Sequence, residues 1–153
     1  MIKFFVTGEI TSWVMSHVLH RLDVPMLSLT KGKYSFASWL AGFPIIMLVT
    51  KGAKSGTSRK NPLVGVVDGD NIVIMGTNFG GRRNPSWYYN LIANPQATVI
   101  LPNREIKINA REAAEEERGD YWEKFTDVYA GYSLYKKRAS HRKIPIMVLT
   151  PAA

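Results

Sequence analysis

Lys51, Lys54, Arg59 and Lys60 fall close together, interleaved with Gly52, Ser55, Gly56, Thr57 and Ser58. Cations, hydroxyls and backbone N–H groups in one polar stretch suit a phosphate or carboxylate ligand, and an arginine grips two oxygens at once. A solvated basic loop is the plainer reading of the same residues. A second group is Gly76-Thr77-Asn78-Phe79-Gly80-Gly81. Its glycines let backbone approach a flat ligand closely, or they mark a flexible hairpin end. Trp87, Tyr88 and Asn90 form a third group. Tyr129, Tyr132 and Tyr135 form a fourth, spaced by three. On one helical face these phenols would line an aromatic pocket with inward hydroxyls; packing in the core is the alternative.

Other chemistries are absent from the sequence. There is no cysteine, hence no thiol nucleophile, disulfide or cysteine-ligated metal. No nucleophile elbow, zinc-protease helix, Walker loop or Rossmann fingerprint occurs. His17 and His20 stand at i and i+3 with only His141 besides, and no metal site is expected. An enzyme of this composition needs a bound organic cofactor for its chemistry. The net charge of +8 favours anionic partners, or serves solubility alone. No apolar run is long enough to span a membrane, no signal peptide is evident, and a cytoplasmic location is expected.

The elements that must position these groups are legible in outline. The 153 residues suit one globular domain, preceded by a helix: an N-terminal amphipathic helix over 1–24 and the domain over 25–153. Within 2–22, Ile10, Trp13, Val14, Val18 and Leu22 recur on one face, and Phe4 and Phe5 add apolar surface near the start. That helix suits packing on the domain or lying on a membrane surface. Pro25 ends it, and 26–44 reads as a connector. Strands are expected at 45–49, 63–67, 72–75, 98–101, 104–111 and 146–149. Asp68-Gly69-Asp70 marks a hairpin. Asn84 is expected to cap a short helix with Pro85 at its first position, and Asn94-Pro95 to end it. Residues 113–129 read as a helix with acidic Glu115, Glu116 and Glu117 at its positive end. About six short strands and two interposed helices indicate a small antiparallel barrel.

Two motifs identify the pattern further. K-G-x-x-S-G-x-x-R-x-N-P-L over 51–63 is followed by G-G-x-x-N-P-x-W-Y-x-N-L-x-A-N-P over 80–95. Together, with the late tyrosines and the 142–149 ending, they resemble the deazaflavin-dependent nitroreductase family. That resemblance implies a mainly β fold with α: a split antiparallel β-barrel like that of FMN-binding pyridoxamine-phosphate oxidases. It implies non-covalent coenzyme F420, a deazaflavin with a phosphate and an oligoglutamate tail. It also implies hydride transfer to quinones, enones or nitroaromatics. Carried over by motif, Ala53, Lys54 and Ser55 with Arg59, Lys60 and Asn61 would hold phosphate and tail. Pro62, Leu63, Val64, Met75, Gly76, Thr77 and Asn78 would border the ring. Ser86, Trp87, Tyr88, Tyr89 and Asn90 would add contacts, Tyr132 would cover the pocket, and Tyr129 and Tyr135 would flank the electron acceptor. Val64 stands where some members carry a pocket tyrosine, and Asn78-Phe79 replaces a small hydroxyl residue; both bear on the acceptor.

The residues themselves leave rivals open. These are an FMN enzyme on the same barrel, a non-catalytic F420 carrier, and a basic barrel stacking nucleic-acid bases on its aromatics. The expected partner is a small electron acceptor rather than nucleic acid, with peripheral membrane contact through the N-terminal helix. Oligomeric state is not legible.

Overall fold

The computed structural model describes residues 44–102 and 104–152. The expected N-terminal helix, its boundary at 24, almost all of the connector, and His17 and His20 lie outside the described residues.

Seven strands form one antiparallel sheet: β1 (Ile45–Lys51), β2 (Ser58–Val64), β3 (Val66–Asp68), β4 (Asn71–Met75), β5 (Gln96–Ile100), β6 (Glu105–Glu112) and β7 (Ile146–Pro151). Among the described residues three α-helices accompany them: α1 (Ser86–Ala93), α2 (Glu115–Val128) and α3 (Tyr132–Arg138). The spatial order is β2-β1-β5-β6-β7-β4-β3. The two outermost strands, β2 and β3, are consecutive in the chain and joined through Gly65 alone. A one-residue link between opposite edges requires the sheet to curl until those edges meet, giving a half-barrel.

Gly65 makes that corner possible. A Cβ there would stand 3.0 Å from the side chains of both Ile46 and Ile72. Its N–H donates to the Pro44 carbonyl at 3.0 Å. The single strand expected over 63–67 is therefore two strands, turning at the glycine.

Alternation along the strands sorts the core into two bodies. Ile46, Leu48, Ile72, Ile74, Met147 and Leu149 face one side, where Trp87 and Leu91 of α1 cover them. Val73, Met75, Ile146 and Val148 face the other, under Tyr121 and Phe125 of α2 and the tyrosines of α3. β4 and β7 are thus buried on both faces, as their unbroken apolar runs require.

Several local expectations change. Arg59, Lys60, Asn61 and Pro62 sit on edge strand β2, in register with Thr50, Val49, Leu48 and Met47, and not in a loop. Polar side chains and a proline suit an edge, where one row of backbone groups needs no partner strand. Pro85, not Asn84, occupies the N-cap of α1. Asn84 instead accepts a hydrogen bond from Arg142 at 2.5 Å.

Candidate active site

The hairpin between β1 and β2 is a tight polar turn. Gly52 donates to the Thr57 carbonyl at 2.8 Å and Gly56 to the Gly52 carbonyl at 2.9 Å. Ser55 Oγ accepts the Thr57 N–H at 3.2 Å, and a Cβ at Gly52 would sit 2.6 Å from that oxygen. Lys51, Lys54, Ser55, Arg59 and Lys60 are all exposed around this turn. Among the described residues, Lys51, Lys54 and Arg59 form no ion pair with a carboxylate.

The turn is pinned from behind. Asn90 of α1 is buried, and its Oδ1 accepts the Ala53 N–H at 2.9 Å. Its Nδ2 donates to Thr50 Oγ1 at 3.1 Å, and Thr50 is also buried. Both ends of the amide are engaged by protein, so Asn90 braces the turn. Trp87 is buried in the core beneath α1, whereas Ser86 and Tyr89 are exposed. The Tyr88 hydroxyl donates to Glu112, and this bond pushes its pKa up to about 12, with partial burial helping.

The register divides the residues of β2. Arg59, Asn61 and Leu63 share the face of Thr50, Leu48 and Ile46, on the α1 side. Lys60, Pro62 and Val64 share the opposite face, and Val64 packs against the tyrosine body. A single ligand group cannot meet all of them. The two faces meet only at the exposed edge of the strand.

The ring-bordering candidates Val64 and Met75 converge with Tyr129, Tyr132 and Tyr135 on the α2–α3 side, and Phe79 joins them there. The three phenol rings lie 5.7–6.2 Å apart, centroid to centroid. They do not share one helix. Tyr129 caps the end of α2, and Tyr132 and Tyr135 lie on α3. Gly131 at the break leaves room for the Tyr129 ring, whose Cε1 would be 2.1 Å from a Cβ there. Burial pushes all three phenols up, so they hold their protons through the neutral range.

Between these groups, the 76–84 turn is held in an uncommon backbone form. Asn78 and Phe79 have φ of 46° and 55°, followed by Gly80 at 80°. Left-handed backbone costs a non-glycine residue about 1–2 kcal/mol, so the surroundings must enforce it. Asn78 Nδ2 donates to the Arg83 carbonyl at 3.1 Å, and Phe79 packs edge-on against Tyr135 at 5.8 Å. Gly76 is buried with Pro145 and Pro85 so close that a Cβ would stand 2.6 Å from Pro145 Cγ. Arg142, which motif reading placed only within the chain's ending, binds this turn through four hydrogen bonds.

A groove of about 460 Å³ between α2 and α3, lined by Trp122, Glu123, Thr126, Ser133, Lys136 and Lys137, contains none of the motif residues. Among the described residues no group of acidic or imidazole side chains could hold a metal ion. The donor set around the turn fits a ligand carrying several negative charges. Beside it Met75 and the three phenols are buried in the core, as the packing alternative expects, and the half-buried Val64 and Phe79 are the apolar margin that fits the edge of a flat ring.

Known proteins resemble this chain in sequence and fold. The family profile described as F420H(2)-dependent quinone reductase matches residues 19–151. An F420H(2)-dependent quinone reductase of Mycobacterium tuberculosis is 30% identical over 152 residues, covering 93% of this chain and 98% of that one. The solved structure of an F420-H2 dependent reductase, FDR-A, superposes with a TM-score of 0.64 at 33% identity, covering 69% and 93% of the two chains. A FAD-binding protein from Mesorhizobium loti shares the fold alone, with a TM-score of 0.51 at 12% identity, covering 84% and 88%. The split antiparallel β-barrel expected from the sequence is the fold of this chain.

Proposed function

This chain belongs to the F420H(2)-dependent quinone reductase family, an oxidoreductase family whose cofactor is coenzyme F420, and from that premise we propose how its residues divide the work. The exposed cations Lys51, Lys54 and Arg59, with Ser55, hold the phosphate and acidic tail. Asn90 keeps the turn that presents them in shape. Val64, Met75 and 76–78 border the ring, and the three tyrosines shape the acceptor side.

When bound and reduced, the coenzyme supplies a hydride; a quinone that takes it and one proton becomes the hydroquinone. The chain excludes water with its apolar body of Met75, Phe79 and phenols. The protonated Tyr132 hydroxyl donates a hydrogen bond as charge builds on the acceptor oxygen. Val64 keeps the pocket apolar, which favours apolar quinones over charged nitroaromatics; enones and neutral nitroaromatics are further acceptors.

The observation that carries this reading is the pairing of an exposed cationic turn with a buried phenol cluster on one small barrel. It favours F420 over FMN, because an oligoglutamate tail uses several cations where FMN offers a single phosphate. Titrating the protein with F420 and with FMN, followed by a screen of quinones, enones and nitro compounds, tests it. Tight F420 binding with quinone reduction is expected. Preference for FMN would overturn the reading, and F420 binding without turnover on any acceptor would leave a carrier. Binding to oligonucleotides with a steep salt slope, and to neither flavin, would make it a nucleic-acid module.

A further inference from the structure

Arg142 stands just before the buried Ile144–Pro145 pair that leads into β7, and it carries a charge into the fold without a carboxylate partner among the described residues. Its donors go to one short stretch. Nε donates to the Gly81 carbonyl at 3.0 Å, Nη2 to the Thr77 carbonyl at 2.8 Å, and Nη1 to the Gly76 carbonyl at 3.1 Å and to Asn84 Oδ1 at 2.5 Å. The planar guanidinium thus ties both ends of the 76–84 turn to a single rigid fork.

Within that fork lies the left-handed Asn78–Gly80 segment, and on it Phe79, whose ring meets Tyr135. Left-handed backbone relaxes unless held, and the fork is what spans the segment. α3 backs the same turn: a Cβ on Gly80 would stand 2.6 Å from Arg138 Cβ.

We infer that Arg142 is a positioning residue that holds the 76–84 turn in its left-handed form and thereby sets Phe79 as the wall of the acceptor pocket. This rests on the quinone reductase reading for its substrate, but not for the clamp itself. Lysine cannot replace it, because one ammonium cannot reach three carbonyls and an amide spread over nine residues of chain.

The clamp has a readout independent of activity. Arg82 and Arg83 lie exposed inside the turn and are trypsin sites. Cleavage of a transiently opened segment tracks how often it opens. In the full chain without coenzyme, Arg142→Ala and Arg142→Lys should both be cut after Arg82 or Arg83 about tenfold faster or more, as located by mass spectrometry. Ethylguanidinium should slow cleavage in the alanine variant and not in the lysine variant. Unchanged cleavage at these two bonds, or full protection by lysine, would overturn the clamp.

The consequence for the pocket is read separately. In Phe79→Leu, the ratio of kcat/KM for a ring-substituted naphthoquinone to that for the unsubstituted ring should change by about threefold or more. Arg142→Ala should move the same ratio in the same direction. A ratio unmoved in Phe79→Leu would remove Phe79 as the wall. If Arg142→Ala yields no folded protein, Asn84→Ala removes the clamp's one side-chain anchor on the turn, and the same proteolysis decides. Absence of quinone turnover in the unaltered chain would defeat the parent reading, while the tryptic result would still stand or fall alone.

Discussion

Asn90 offers the sharpest perturbation of the binding turn. Replacing it with alanine removes the acceptor of the Ala53 N–H and the donor to Thr50 Oγ1. Ala53 is exposed, so water re-satisfies its N–H at small cost. Thr50 is only 3% exposed, so its hydroxyl loses a partner that water replaces poorly. One net hydrogen bond of about 0.5–1.5 kcal/mol plus a stranded buried hydroxyl of about 1–3 kcal/mol gives a loss of about 1.5–4.5 kcal/mol. For a chain of this size, about 2–4 °C in Tm accompanies each kcal/mol, so a thermal melt should fall by about 3–18 °C. Thr50→Val, which strands only one end of the amide, should lose less. F420 affinity should fall in both variants as the turn slackens, and more in Asn90→Ala. Tryptophan-fluorescence melts and coenzyme titrations on the three proteins decide the matter. An Asn90→Ala protein with unchanged Tm and unchanged affinity would refute the brace.

Other expectations follow from the same geometry. Arg59→Ala loses a charge-assisted contact of about 1.5–3 kcal/mol, which is about tenfold or more in F420 affinity, and unchanged affinity at low salt would place the tail elsewhere. Tyr132→Phe should lower the rate of quinone reduction more than it weakens coenzyme binding, and an unchanged rate leaves water as the proton source. Glu117 accepts from Arg111 and from the Ala114 N–H, which hold its carboxyl at about 2 against an ordinary 4.5. A carboxyl depressed by folding contributes stability that is present above 4.5 and lost as pH falls towards 2. The wild-type chain should therefore loosen in acid over that window, and Glu117→Gln should flatten this part of the pH–stability curve. Deleting 1–22, which carries Phe4, Phe5 and Trp13, should reduce binding to anionic vesicles while reduction of a water-soluble quinone persists; loss of solubility or activity would assign that stretch to the domain.

Strands such as β1 and β4 were legible because β-branched and apolar residues cluster there between turn signals. The corner at Gly65 was not, since Leu63-Val64-Gly65-Val66-Val67 reads locally as one apolar run. Only the meeting of two distant sheet edges turns it. Arg59 and Lys60 read as loop because edge pairing uses backbone bonds, which side-chain composition does not report. The polar turn between β1 and β2 was legible from clustered charge and glycine. The roles of Asn90 and Arg142 were not, because their partners lie 37 to 66 residues away. The spacing of the phenols by three suited one helical face or packing in the core, and the structure buries all three in the core. They meet across a break that the packing of Gly131 against Tyr129 makes possible.

Single-turnover oxidation of bound reduced F420 by an apolar quinone, followed by the return of oxidised deazaflavin absorbance, tests the central claim most directly. The bound coenzyme should be oxidised at a rate that saturates with quinone, slowed in Tyr132→Phe and retained, after weaker binding, in Arg59→Ala. Reduced coenzyme that stays bound and unoxidised at every quinone concentration would contradict it.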